Sequence, residues 1–219
     1  MQMLLTALSV GPAASARGAR GTRGRILAAA EDLFATRGIR GVGIEELIAR
    51  SGVAKATFYR HFRSKDALIL ACLQGWGRAR TAIAQAVRAS GTSGRDALLG
   101  LFDALDGLFR QGKAPGALEQ VIIEMGPEHP FAKEAARQLD STLAEIEEIA
   151  AEAGLEDPEG VACTLQALIC GAVVAAAEGD AEAAAHAKRM AAALPALAPE
   201  APPDAVGPGG SVRGKPSCD

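Results

Sequence analysis

Apolar residues recur three and four positions apart along almost the whole stretch from Thr22 to Leu194, and that spacing restricts the chain to helices. Ile26, Leu27, Ala30, Leu33 and Phe34 form one such stripe, and Leu98, Leu101, Phe102, Leu105, Leu108 and Phe109 form another. Composition supports the same conclusion. Aromatic residues make up only 4% of the chain, β-branched residues are sparse and Ala is abundant, which leaves little to fill a sheet-built core. The length of 219 residues allows one large domain, or a small domain with one of ordinary size. The balance of 49% hydrophobic and 22% charged residues is that of an ordinary soluble globular protein.

Several chemistries are excluded at this level. Cys72, Cys163, Cys170 and Cys218 form no C-x-x-C pair and have no His at ligand spacing, so they are read as reduced thiols, with neither metal nor disulfide framework. His129 stands in a loop between Pro127 and Pro130 with no evident base, nucleophile or ligand partner. No enzyme activity and no cofactor are expected. No stretch is read as reaching the roughly 18 apolar residues needed to cross a bilayer, so no membrane association is expected. The start, with Leu4, Leu5, Ala7, Leu8 and Val10 ahead of Ala14-Ser15-Ala16, has the outline of an export signal. No basic residue precedes the run and it is short, so residues 1–21 are read as a flexible basic arm of a cytoplasmic protein.

The helices follow from capping and breaking signals. Thr22 is read as the cap of a helix ended by Gly38. Short helices are expected over Ile44–Arg50 and Lys55–Phe62, joined by Ser51-Gly52-Val53. Ser64 caps a long helix reaching Ala89. Ser93 with Asp96 resembles a capping box opening the next, and a shorter helix runs from Pro115 to Gly126. Further helices are expected from Phe131 to Ala153, from Asp157-Pro158 to Glu178, and from Ala181 to Leu194. From Pro195 onward, six of 25 residues are Pro and four are Gly, so residues 199–219 are expected to be a disordered tail.

Charge is divided unevenly. Residues 1–65 carry 11 Lys or Arg against 4 Asp or Glu, a balance of +7, and residues 66–219 carry 12 against 22, a balance of −10. A basic front on an acidic body suits contact with a polyanion through the front alone. Within that front, two short helices and a turn centred on Gly52 make a helix-turn-helix arrangement. The second helix, about 12 Å long, suits the major groove of B-DNA, which is about 12 Å wide. Phe58 and Phe62, four apart, face inward. Lys55, Thr57, Tyr59, Arg60 and His61 are left to meet phosphates and base edges, and Ser64-Lys65 offers backbone N–H groups and a cation to a phosphate.

The run from Gly52 to Leu68, GVAKATFYRHFRSKDAL, resembles the DNA-binding region of TetR-family transcriptional regulators, as do Ile26-Leu27-Ala28-Ala29-Ala30, Leu33-Phe34 and Arg37-Gly38. The resemblance covers residues 22–70 and implies an all-α fold of about nine helices. A three-helix DNA-binding domain over 22–66 would precede a larger ligand-binding and dimerisation domain over 67–198. By that resemblance Lys55 and Thr57 reach bases or phosphates, Tyr59 and His61 contact the backbone, Arg60 stands at a variable position, and Lys65 meets a phosphate. It further implies double-stranded DNA as partner, a homodimer built on the last two long helices, and an unknown small-molecule effector whose binding releases a repressor. Two hydroxyl residues usual in the family are absent: Ala54 stands at the start of the recognition helix, and Val42-Gly43 at the start of the helix before it. The alternative is a helical small-molecule-binding protein or enzyme with a degenerate DNA-binding domain. Trp76, Phe102, Phe109 and Met125 are candidate pocket residues, with ordinary core packing as the plainer reading. Glu124, beside Val121-Ile122-Ile123, is read as facing water.

Overall fold

The helices begin and end where local chemistry says they should, with instructive displacements. The computed structural model describes residues 21–90, 94–111 and 116–197. Among them stand nine α-helices and no strand: α1 (Thr22–Arg37), α2 (Ile44–Ser51), α3 (Lys55–His61), α4 (Lys65–Arg88), α5 (Gly94–Arg110), α6 (Ala117–Met125), α7 (Pro130–Glu152), α8 (Pro158–Ala177) and α9 (Ala183–Ala192), with a 3-10 turn over Pro195–Leu197. The basic arm before Gly21, the tail, the Ser93 capping box and the Pro115 helix start all lie outside the described residues.

The caps show how sequence becomes boundary. Ser64 Oγ accepts from Ala67 N at 3.1 Å, and Asp157 Oδ1 accepts from Gly160 N at 2.9 Å ahead of Pro158, as expected. Thr22 is not a cap. The extended residue is Gly21, which has no side chain to cap with, and Thr22 is the first helical residue. His129 has a structural role: its ring nitrogen accepts from Phe131 N at 3.2 Å and starts α7 at Pro130, one residue early. Asp180 Oδ1 accepts from Glu182 N at 2.8 Å, which holds the turn open and delays α9 to Ala183. That backbone bond, with help from His186, keeps the Asp180 carboxyl below its ordinary range.

The buried side chains form two clusters. A front cluster gathers Ile26, Phe34, Leu47, Phe58, Phe62, Leu68, Ile69 and Leu73 with Leu118, Val121 and Ala135 of α6 and α7. A rear cluster gathers Leu98, Phe102 and Leu105 of α5 with Ile146, Ile149, Leu165 and the alanines of α9. α4 threads both, giving Ile69, Cys72 and Leu73 to the front and Ala84 and Val87 to the rear. It lies along α7, which also packs on α6 and α8.

The expectation about membrane-length segments needs correction. α8, 20 residues long, is apolar enough to cross a bilayer by length and composition, yet only 22% of its apolar window is buried in the protein. Its Thr164 and Gln166 interrupt the apolar run without offsetting its many Ala, Val, Leu and Ile residues.

Candidate nucleic-acid interface

The front surface is built around a turn that requires glycine. Gly52 ends α2 in the left-handed region (φ 63) and donates to Ala49 O at 3.2 Å. Val53 and Ala54 then lead into α3, whose first turn has no side-chain cap, as the absent hydroxyl predicts. Gly43 likewise precedes α2 without a side-chain bond. What fixes α3 is packing. Phe58 is 0% and Phe62 3% exposed, their rings 6.4 Å apart, and the Arg23 guanidinium lies 5.0 Å over Phe62.

With those two rings inside, the other faces of the helix turn outward. Lys55 and Arg60 are exposed, Tyr59 is 37% exposed, and Thr57 and His61 are half-buried. One helix of seven residues thus presents five of the six expected contact residues together. Lys55 Nζ lies 2.7 Å from Glu45 Oε1, and that hydrogen bond raises its pKa. Both partners are exposed, so the pair contributes little and a phosphate can replace Glu45. Arg25, Arg40 and Arg63 add exposed cations nearby.

Lys65, expected to meet a phosphate, has a partner within the protein. Half-buried, it donates from Nζ to Ile39 O at 2.6 Å. The Ile39 loop is also held from the body of the protein. Glu124 does not face water: its Oε2 accepts from Ile39 N at 2.9 Å and its Oε1 from Arg40 N at 2.6 Å. The carboxylate therefore clasps the α1–α2 loop to α6. Gly38 makes room for it: its φ is 72, and a Cβ added there would lie only 2.8 Å from Glu124 Oε2.

The four aromatic and Met residues suggested for a pocket are not brought together. Trp76 and Met125 pack on the front cluster, and Phe102 and Phe109 belong with the rear. Phe102 borders a cleft of about 200 Å³ between α5 and α9, lined also by Asp103, Asp106, Glu182 and Lys188. A different set converges from α4, α6 and α8. Arg80 Nη1 donates to Glu119 Oε1 at 2.6 Å, with side chains 13% and 18% exposed. Cys170 Sγ lies 3.8 Å from Glu119 Oε1 and 3.6 Å from Gln166 Nε2. Burial, reinforced by Glu119, pushes the Cys170 thiol up, and burial does the same to Cys72, so neither is poised as a thiolate. Sequence periodicity passed over this group because its members come from three helices far apart in the chain. The signal available was a polar residue interrupting an apolar run, as Gln166 does in α8.

Residues 26–72 match the family described as bacterial regulatory proteins, tetR family. The transcriptional activator FasR of Mycolicibacterium smegmatis is 46% identical over 52 residues, which is 24% of this chain and 24% of FasR. The transcriptional regulator TcmR of Streptomyces glaucescens is 31% identical over 153 residues, 67% of this chain and 66% of TcmR. The match thus spans about a quarter of the first relative's length and just under two thirds of the second's. Among solved structures, the TetR-family regulator SCO4454 of Streptomyces coelicolor superposes with a TM-score of 0.72 at 27% identity, covering 80% of this chain and 94% of that one. The matched segment contains the whole helix-turn-helix, and the likeness to SCO4454 extends through the helical body: the chain belongs to the TetR family of bacterial regulatory proteins.

Proposed function

We propose that this chain is a cytoplasmic, ligand-responsive transcriptional repressor that binds double-stranded DNA as a homodimer. The observation that carries the reading is α3, held from beneath by Phe58 and Phe62 and presenting Lys55, Thr57, Tyr59, Arg60 and His61 outward from a basic front. Rigid support beneath a polar, cationic face is what insertion into a major groove requires. In this reading Tyr59 and His61 meet the DNA backbone, Lys55 and Thr57 meet bases or phosphates, and Lys65 acts through the Ile39 loop it supports. The division falls near residue 66, with DNA binding ahead of it and ligand binding and dimerisation behind.

The uncovered face of α8 supports the homodimer. Cys163, Ala167, Gly171 and Val174 lie exposed along one side of it, Val174 at 56%, and Met190 of α9 is 60% exposed. Small residues let a second copy approach closely, and two-fold pairing places two copies of α3 on one face of the DNA at a spacing of about one helical turn.

Repression follows if the bound dimer occludes a promoter, and release follows if an effector favours a dimer with differently spaced recognition helices. FasR is an activator by name, so the direction is settled by transcription in vitro with and without the protein. The test of DNA binding is fluorescence anisotropy on labelled DNA from the gene's own upstream region, at two salt concentrations, with unlabelled nonspecific competitor. Competitor-resistant binding that weakens steeply with salt is expected. Binding that competitor abolishes, together with no enrichment of any sequence from a random DNA pool, refutes the proposal.

A further inference from the structure

Two buried oxygen atoms, Glu119 Oε2 and Gln166 Oε1, have no hydrogen-bond partner among the described residues. Buried acceptors left unpaired are costly and rare. Both belong to the group that joins α6 to α8, and Arg80 of α4 completes it. Arg80 lies where α4 passes from one apolar cluster to the other, after Trp76 of the front and before Ile83 of the rear. Trp76, Ile83, Ile122 and Val173 are each only partly buried. The group is therefore a polar spot with spare acceptors on a seam of half-covered apolar side chains.

We propose that Arg80, Glu119, Gln166 and Cys170 form the polar end of the effector site, and that this site takes a neutral or monocationic molecule donating hydrogen bonds from one end of an apolar body. The proposal rests on the ligand-responsive reading above and adds the chemical class. One oxygen of Glu119 accepts from Arg80 Nη1, while its second oxygen has no partner among the described residues. Gln166 spends its amide N–H on the Cys170 sulfur and leaves its carbonyl oxygen free to accept. An ammonium group, with three N–H donors, can answer both acceptors, and a hydroxyl, with one O–H, answers one of them. A carboxylate or phosphate brings further acceptors and negative charge against Glu119, and is rejected. Burial, with Glu119 beside it, raises the Cys170 thiol and disfavours the thiolate.

The test uses three probes with one apolar body and different polar ends: 2-phenylethylamine, 2-phenylethanol and 3-phenylpropanoate. Trp76, the single tryptophan of the chain, stands one helical turn before Arg80 and reports binding by fluorescence. The amine and the alcohol are expected to bind saturably, and the carboxylate at least roughly tenfold more weakly. Glu119→Gln is expected to lower amine affinity more than alcohol affinity. Gln166→Met is expected to weaken both while raising the Tm, because it replaces an unpaired buried oxygen with an apolar atom. A variant that loses binding while gaining stability cannot be dismissed as misfolded. Equal or tighter binding of the carboxylate overturns the proposal. So does the absence of binding by all three probes, or a Gln166→Met variant with lower Tm and unchanged probe affinity. The two readings fail separately. An amine that binds without releasing operator DNA supports the site and refutes ligand-induced release by that class. DNA release by an anion, unchanged in Glu119→Gln and Gln166→Met, refutes the site and leaves ligand control standing.

Discussion

The front and the rear of this protein are held together by different means. In front, aromatic rings hold the helices: Phe34, Phe58 and Phe62 are sealed between α1, α3 and the start of α4. At the rear, α9 docks through Ala183, Ala184, Ala187 and Ala191, and α8 leaves most of its apolar surface uncovered. Large rings fix helix positions, because a buried Phe tolerates little displacement before it loses contacts. Small residues fix distance of approach but leave apolar area for something else to cover. The front is complete within one chain and carries a rigid polar surface. The rear is completed, on the proposed reading, by a second copy.

The sharpest way to break the contrast is to remove a ring. Phe58→Ala is expected to cost about 3–5 kcal/mol and to unfold the front, seen as a lower Tm by circular dichroism with complete loss of DNA binding. An intact front after that change denies that Phe58 holds α3. At the rear, Val174→Glu leaves the isolated subunit folded because the side chain is exposed. Burying that charge in a dimer costs about 3 kcal/mol or more, so sedimentation is expected to show monomers and weak DNA binding. A stable dimer of this variant removes α8 as the interface.

The next effect lies between the two regions. Glu124→Ala removes a carboxylate that accepts two backbone N–H groups, at an expected cost of about 1–3 kcal/mol. Hydrogen exchange at the Ile39 and Arg40 amides is expected to accelerate, and protection equal to the wild type contradicts the clasp. On the α3 surface, Tyr59→Ala and His61→Ala are each expected to weaken DNA binding roughly tenfold across sequences, with unchanged Tm. Lys55→Ala is expected to relax base preference as well. The smallest effect concerns Glu31, whose carboxyl burial raises above its ordinary range. A carboxyl raised by folding adds stability below its unfolded pKa and loses it as pH rises through the folded value. Glu31→Gln is therefore expected to stabilise the fold at pH 7 by less than about 1 kcal/mol, with the gain vanishing in acid. A pH-independent difference in Tm rejects that cause.

The helices themselves were legible because their causes are local. Ser64 and Asp157 cap where their side chains reach the third residue on, and Gly52 turns the chain where a Cβ is strained. The errors also have local causes. Thr22 has the chemistry of a cap, but the preceding Gly21 takes the extended conformation. His129 has a loop setting that suggested no role, yet its ring nitrogen replaces the usual cap oxygen. The recognition helix was legible in more detail, since Phe58 and Phe62 four residues apart decide which neighbours face out.

The sequence by itself determined that the chain is helical, where a helix-turn-helix stands, and which five residues of α3 share its surface. Periodicity, capping and charge act within a few residues, so they can be read without a fold. Tertiary structure alone decided what each isolated polar residue meets. Glu124 finds the Ile39 and Arg40 amides across 85 and 84 positions, Lys65 finds the Ile39 carbonyl across 26, and Arg80 finds Glu119 across 39. The same holds for the aromatics that were candidates for a pocket, which packing divides between two cores. Such partnerships depend on which helices lie side by side, and no local spacing records that.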